Sequence, residues 1–247
     1  MKISFVIPFH NEEKNAGPMI ERVTEYATEQ KWDFEIVPVD DRSQDGTKEA
    51  LKQIAAKYNF VHPLYRKTGG NDLGNTMGMA LLEGSKKANG DIIIWTMGDR
   101  SDDPETYGKI VGKIAEGFDM VFGSRYMIGG TWGSLDPTKA FLSSRGTQLA
   151  QLLFGISVHD ITNAFRGFRS VLLRHISLQS TNYDISPEFA LKTHLAGYKL
   201  AEVPTTYFKR VEGVSNFKLW RMSLSYLVIY VGLFLDKILN NRSWLDN

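Results

Sequence analysis

No cysteine occurs anywhere in the 247 residues, which removes disulfides, thiolate nucleophiles and Cys-ligated metals together. A disulfide-stapled secreted domain is excluded with them. Net charge is nearly absent as well. The 29 Lys and Arg against 28 Asp and Glu leave +1, so no global field points to nucleic acid or another polyanion. The 22 glycines form neither a Gly-x-Gly-x-x-Gly nor a Walker loop, so phosphates have no glycine-rich backbone on which to rest. Long apolar runs are missing too. Met222 to Leu235 carries no charge over 14 residues, where a bilayer takes about 20. The N-terminal apolar run is short and cut by Pro8, which is not a signal peptide and leads us to expect a cytosolic enzyme that begins with a strand.

What remains is an ordinary folded composition, 43% hydrophobic and 23% charged, with no repeat, low-complexity tract or linker. Ile3 to Ile7 reads as a buried strand stopped by Pro8, followed by helical spacing through Met19, Ile20, Val23 and Tyr26. Phe34 to Val39 predicts a second strand, and a second helix starts at Asp45-Gly46-Thr47 with Ala50, Leu51, Ile54 and Ala55 inward. A third strand over Val61 to Tyr65, a third helix over Thr76 to Ala88 and an all-apolar strand Ile92 to Trp95 complete a βαβαβαβ alternation. That pattern predicts an α/β fold with a doubly wound, mostly parallel sheet. Further on we expect helices over Tyr107 to Ala115 and Phe141 to Phe154. Strands are expected at Met120 to Phe122, Lys199 to Val203 and Thr205 to Lys209. The uncharged stretch near the C-terminus, flanked by Lys218, Arg221 and Lys237, fits a buried or interface helix or a helix lying on a membrane surface.

In an open parallel sheet, ligands bind beyond the carboxyl ends of the strands. Three of those ends carry carboxylates: Asn11-Glu12-Glu13 after the first strand, Asp40-Asp41 after the second and Asp99 to Asp103 after the fourth. Any one of them could be a helix cap or a solvated turn. Together they suit base and ribose hydroxyls, and a divalent cation that neutralises phosphates.

The sequence resembles the family 2 glycosyltransferases of GT-A fold, and within them the dolichol- or polyprenyl-phosphate mannose or glucose synthases. The resemblance covers roughly residues 3 to 220. Ser4 to Glu13 resembles the opening V-x-P-x-x-N-E, and Val39 to Thr47 is similar to V-D-D-x-S-x-D-G-T over nine positions. Gly90 to Ile94 leads toward the metal-binding D-x-D. Gly123-Ser124-Arg125-Tyr126 with Gly129-Gly130 resembles G-S/T-R-Y-x-x-G-G. Asp160 to Arg169 is similar to D-x-T-x-G-F-R, and Glu202-Val203-Pro204 with Arg210 to Lys218 resembles the closing motifs. The resemblance implies a catalytic domain over 1–220, with a nucleotide-binding half 1–105 and an acceptor half 106–220. An apolar helix and tail, 221–247, would belong to the same domain or contact a membrane peripherally.

Carried over residue by residue, the resemblance implies that Pro8, Phe9, Asn11, Glu12 and Asp40 line the base and ribose pocket and that Asp41 orders it. Asp99 would bind a divalent Mg²⁺ or Mn²⁺ on the diphosphate of a GDP- or UDP-linked sugar, with Ser101 or water completing the shell. Arg125, Arg145, Arg210, Ser215 and Lys218 would meet phosphate oxygens of donor or acceptor, a task suited to the planar arginine fork. Arg145 also reads as an exposed helix residue, and Arg166 and Arg169 as structural ion-pair partners. The departure is Met97-Gly98-Asp99, where the first carboxylate of the metal motif is a thioether, a poor ligand for hard cations. Three readings follow: Asp99 alone holds the metal, Arg100 substitutes part of its charge, or the chain is an inactive nucleotide-sugar-binding relative. Thr76-Met77-Gly78 also departs from the family's Gly-x-Gly.

The implied reaction is an inverting displacement. A lipid phosphate acceptor is already anionic, whereas a saccharide hydroxyl would need a base, for which Asp102 is the candidate and Glu188 the second. Peripheral contact with the cytoplasmic face of a membrane is expected through residues 219–239, although the same helix would serve a homodimer. A nucleotidyltransferase, the rival from another class, would want a glycine-rich, basic first loop, which Pro8-Phe9-His10-Asn11-Glu12 is not.

Overall fold

The computed structural model describes residues 1–67, 76–209 and 219–245. Strand β1 (Lys2–Phe9) divides two cores: Ile3, Phe5, Ile7 and Phe9 pack on one side and Val6 on the other, as a period of two requires. β2 (Asp33–Asp40) and β4 (Ile92–Trp95) flank it in parallel, with Phe9 opposite Asp40 and Val6 opposite Trp95. β3 (Leu64–Tyr65) pairs with the far side of β2. β6 (Arg166–Arg169) runs antiparallel between β4 and β5 (Met120–Ser124), and β7 (Leu200–Pro204) lies parallel to β5. The order is β3-β2-β1-β4-β6-β5-β7, with β6 alone reversed, so the expected α/β, mostly parallel sheet is what forms.

Helices α1 (Glu13–Glu29), α2 (Thr47–Lys57) and α4 (Glu105–Ala115) cover one face. The other face takes α3 (Met77–Lys87), α5 (Pro137–Phe154), α7 (Ile185–Leu195) and α8 (Leu219–Leu239), with the single turn α6 (Leu172–His175) beside them. On α1, Ala16, Met19, Ile20, Val23 and Ala27 form the buried stripe that the helical spacing predicts. α5 begins earlier than its apolar pattern does. The Asp136 carboxylate accepts from the Lys139 amide at 3.0 Å, Pro137 occupies the first turn, and Gly155 closes the helix at φ +75.

α8 packs on α5 and α7 through Tyr230 and Leu233, while Leu224, Leu227, Val228, Val231, Leu235 and Ile238 stay exposed. The helix is therefore apolar on both a buried and a solvent face. No helix among the described residues is long and apolar enough to cross a membrane. Its end is tied down: Lys237 donates to the Leu153 carbonyl at 2.9 Å, and Trp244 is buried where its carbonyl accepts from the Ser177 amide at 2.9 Å.

Three expectations change. Pro63 has no N–H to give, and the third strand shrinks to two residues plus a lone bridge from Val61 to Ile36. Thr205 to Lys209 forms no strand. It crosses the open end of the sheet, where Thr206 bridges Thr131 and Tyr207 bridges Asp102. β6, which pattern reading did not predict, is a short run with arginine at both ends.

Candidate active site

The carboxyl ends of β1, β2 and β4 meet at one edge, and side chains lace their loops together. Asn11 sits at φ +56, its amide donating to Ser43 Oγ at 2.9 Å and its Oδ1 accepting from the Gln44 amide at 2.7 Å. Such a conformation is one that asparagine tolerates. Asp40 accepts from the Ser43 amide at 3.0 Å, and the Glu12 carboxylate accepts from Asn15 Nδ2 at 2.5 Å. The Asp41 carboxylate, 1% exposed, accepts from the Thr76 amide at 3.0 Å, from Arg42 Nε at 3.1 Å and from Arg66 Nη1. Gly98 lies against this cluster. A Cβ there would stand 2.6 Å from the Phe9 ring and 2.7 Å from the Pro8 carbonyl oxygen, so only glycine lets the loop after β4 approach so closely. Pro8, Phe9, Asn11, Glu12, Asp40 and Asp41 thus form one neighbourhood.

Beside it opens a cavity of about 410 Å³. Met77, Met97, Asp99 and Ser101 line its sheet side; Arg125, Thr162, Asn163 and Ala164 line a second wall. α5 contributes Lys139, Leu142, Arg145 and Leu149, and α8 contributes Tyr226, Leu227 and Tyr230. The structure therefore brings Asp99, Ser101, Arg125 and Arg145 together from three separate stretches of chain. Arg210, Ser215 and Lys218 lie outside the described residues.

Arg125 donates from Nε at 2.7 Å and Nη2 at 2.9 Å to the two oxygens of Asp160, itself fully buried. Burial works against the charge of Arg125, but the Asp160 carboxylate outweighs it and holds the guanidinium above its ordinary pKa. Arg145 lies on the open side of α5, over the Phe141 ring at 5.2 Å, with Nη1 donating to Gln148 at 2.8 Å. It is an exposed helix residue and a cavity residue at once.

Asp102 faces away from the cavity. It is 4% exposed and accepts from the Met97 amide at 2.8 Å and Thr96 Oγ1 at 3.0 Å, so it holds the loop that carries Asp99. Burial pushes its carboxyl up to about 7 against the pull of the Met97 amide, the nearby Asp99 charge adding to the rise. A folded-state value above the ordinary 3.8 means that ionisation opposes folding: the contribution is full at low pH and is lost as pH rises through about 7. Asp102→Asn is expected to flatten that decline, measured as urea midpoints at about pH 5.5 and about pH 8. An unchanged decline would remove Asp102 as its source.

Glu188, the second base candidate, is a first-turn acid of α7 that pairs with Lys192 at 2.6 Å and accepts from the Gln179 and Ser180 amides. Arg169 does approach a carboxylate, Asp119 at 3.7 Å. Arg166 does not. It is fully buried and donates to the carbonyls of Ser186 at 2.8 Å, Ile161 at 3.1 Å and Asn163, which corrects the ion-pair expectation. Arg100 turns to the first turn of α1, Nε donating to Asn15 Oδ1 at 3.2 Å. Sequence reading missed Lys139, Tyr226 and Tyr230. The four-residue spacing of the two tyrosines, one helical turn apart on an apolar segment, was the available signal.

The residues present do not make a divalent-cation site by themselves. Asp99 Oδ1 is engaged by the Ser101 amide at 3.1 Å and by Ser101 Oγ at 2.6 Å, Asp102 is turned inward, and position 97 offers a thioether packed against the core. Among the described residues no three His, Cys, Asp or Glu side chains converge. One carboxylate and one hydroxyl are fewer hard oxygens than Mg²⁺ or Mn²⁺ takes, so Asp99 and Ser101 would hold such an ion only with donor oxygens or water completing its shell.

Residues 4–177 match the model of the family described as glycosyl transferase family 2. The chain belongs to this family. Within the family it is 30% identical over 224 residues to the dolichol-phosphate mannosyltransferase of Pyrococcus furiosus, a match that takes in 88% of this chain and 60% of that one. It therefore spans about 60% of that relative's length. The polyprenol monophosphomannose synthase of Mycolicibacterium smegmatis is 29% identical over 218 residues, covering 85% of this chain and 79% of the other. The fold is that of glucosyl-3-phosphoglycerate synthase from Mycobacterium tuberculosis, solved with Mn²⁺ and UDP-glucose. The TM-score is 0.69 at 18% identity, over 96% of this chain and 78% of that one.

Proposed function

We propose that this chain transfers a hexose from a nucleotide diphosphate sugar to a polyprenyl phosphate, with inversion at the anomeric carbon. The observation that carries the proposal is the cavity, which has Asp99 on its sheet side, Arg125 on a second wall, Lys139 and Arg145 on α5, and leucines and tyrosines of α5 and α8 along its sides. Such a shape suits a phosphate joined to an apolar chain. The names of the two curated relatives, each made for a lipid phosphate, agree with it. Pro8, Phe9, Asn11, Glu12 and Asp40 would receive base and ribose, and Asp41 would hold their loops in place. Arg125 and Arg145, with Arg210, Ser215 and Lys218, would meet phosphate oxygens.

In the reaction an acceptor phosphate oxygen attacks the anomeric carbon as its bond to the diphosphate oxygen breaks, and the nucleoside diphosphate leaves with the electron pair. The cations of the wall stabilise the charge that grows on that leaving group. No base is needed, which fits a cavity whose one lining carboxylate among the described residues is Asp99. Asp102→Asn is accordingly expected to keep turnover.

The exposed aliphatic side chains of α5 and α8 continue from the cavity mouth: Leu142, Leu149 and Leu152 on one helix, Leu224, Leu227 and Val228 on the other. With Lys139, Arg145 and Lys237 near them, this face suits an anionic membrane surface, from which the acceptor would be drawn. One preparation tests both points. Vesicles carrying a polyprenyl phosphate are mixed with the protein and UDP-glucose or GDP-mannose. The expected result is a lipid-phosphate hexose of inverted configuration, with protein floating at low salt. Product of retained configuration, or transfer only to water or free sugars, would overturn the reading, and protein left at the bottom of the gradient would remove the membrane contact.

A further inference from the structure

Resting on the donor reading above, we infer that the Tyr230 hydroxyl of α8 hydrogen-bonds a hydroxyl of the transferred hexose, which makes Tyr230 a residue that recognises the donor sugar. Tyr230 is 1% exposed, and its hydroxyl has no hydrogen-bond partner among the described residues. A hydroxyl left both dry and unpaired is unfavourable, because it has given up water for nothing. Four other buried side-chain atoms among the described residues share that condition: Thr147 Oγ1, Arg166 Nε, Ser186 Oγ and Trp244 Nε1. Of the five residues, Tyr230 is the one that borders the cavity.

The packing around the phenol fixes where its hydroxyl stands. Phe154 of α5 meets the ring edge-on, with 6.3 Å between centroids. Beside the hydroxyl lies Gly146, another residue of the cavity lining, where a Cβ would come within 3.7 Å of the oxygen. A glycine at this point of the α5–α8 contact keeps open a space that a side chain would fill. The chemistry of the group then narrows the ligand. Burial holds the phenol above its ordinary pKa, so the hydroxyl stays protonated and can both donate and accept. A sugar hydroxyl has the same two capacities, and it brings no charge to a part of the cavity bounded by Leu149 and Leu227. A phosphate oxygen in that place would lose more water than one phenol returns. The charge of Arg125 is felt at Tyr226, one helical turn earlier on α8, and that end suits phosphate. The hexose is also the group passed from one substrate to the other, so it occupies the space that both share.

The test compares full-length wild type with Tyr230→Phe, which deletes one oxygen and keeps the ring. UDP-glucose and UDP, and GDP-mannose and GDP, are titrated into each protein by calorimetry with Mn²⁺ present. The sugar nucleotide that wild type binds is expected to lose about fivefold to tenfold in affinity, the net worth of one neutral hydrogen bond. Its bare nucleoside diphosphate should change by less than about twofold. The urea midpoint of the variant should equal or exceed that of wild type, because the deleted hydroxyl has no partner to lose. Thr147→Val removes an unpaired hydroxyl outside the cavity lining and should leave all affinities unchanged. A variant that binds the sugar nucleotide as tightly as wild type would overturn the inference. So would an equal loss with the bare nucleotide, which would assign the hydroxyl to phosphate, or a lower urea midpoint, which would reveal a structural role. Each of these leaves the donor reading standing. Absence of binding by all four nucleotides to wild type would sink the donor reading and this inference with it.

Discussion

Replacing Asp160 by Ala is expected to lower the free energy of unfolding by about 3–5 kcal/mol, the range for removing one partner of a buried ion pair. Asp160 is fully buried, and its two oxygens take five donors: Arg125 through its amide, Nε and Nη2, Thr162 Oγ1 and the Asn163 amide. Without it, the Arg125 guanidinium stays 8% exposed with no carboxylate beside it, and the wall formed by Thr162 and Asn163 loses its anchor. Urea unfolding followed by fluorescence gives the number. The second variant in the cycle, Asp160→Ala/Arg125→Met, removes the stranded charge and is expected to recover a good part of the loss without recovering transfer. If the double variant is no more stable than the single one, the cost lies in the loop and not in the uncompensated arginine.

At the other edge of the site, Asp41→Ala is expected to cost on the order of 3 kcal/mol and to weaken nucleotide binding by more than about tenfold. The carboxylate of Asp41 joins three elements: the end of β2, the segment after β3 through Arg66 and the start of α3 through Thr76. Arg66 is itself 7% exposed on its side chain and also donates to Glu83 at 3.0 Å, so losing Asp41 strands a nearly buried cation and a backbone N–H together. Asp41 also directly follows Asp40, the ladder partner of Phe9, and its amide donates to the Phe9 carbonyl at 2.7 Å, so the loops around Pro8 to Glu12 and Asp40 would loosen. Asp41→Asn keeps an acceptor for the Thr76 amide while losing the charge facing Arg42 and Arg66, and should fall between Ala and wild type. Stability unchanged in the Ala variant would mean that Arg66 finds compensation at Glu83 alone.

The first half of the fold was legible because its strands are apolar on both faces and its helices are amphipathic, so each element announces its period. β1 and α1 are the clearest pair. The second half hides its elements for opposite reasons. α7 is buried nearly all round, from Ile185 to Thr193, so no polar face marks its helical period. β6 has four residues, two of them arginine, and its strand character comes from neighbours on both sides rather than from its own composition. The same contrast runs through the site. The loops bearing Asp40, Asp41 and Asp99 could be placed from strand ends, whereas the pairing of Arg125 with Asp160 spans 35 positions and is set by how β5 and the segment before β6 meet. The inward turn of Asp102 depends on the Met97 amide and the Thr96 hydroxyl, which no spacing in the sequence announces, and the wall supplied by α8 depends on helix packing.

The reversed strand has a consequence for how such a molecule can diversify. A parallel strand offers the functional edge only the loop that follows it. Because β6 runs the other way, with Arg166 opposite Trp95 and Phe122, it is the loop entering the strand that opens there. Thr162, Asn163 and Ala164 therefore reach the cavity from a segment that β1, β2 and β4 do not have to share. Exchanges around Asp160 that keep its carboxylate can remodel this wall of the cavity while β1, β2 and β4 keep their register, so, under the proposed function, recognition of the two substrates would be separable units of inheritance within a single sheet.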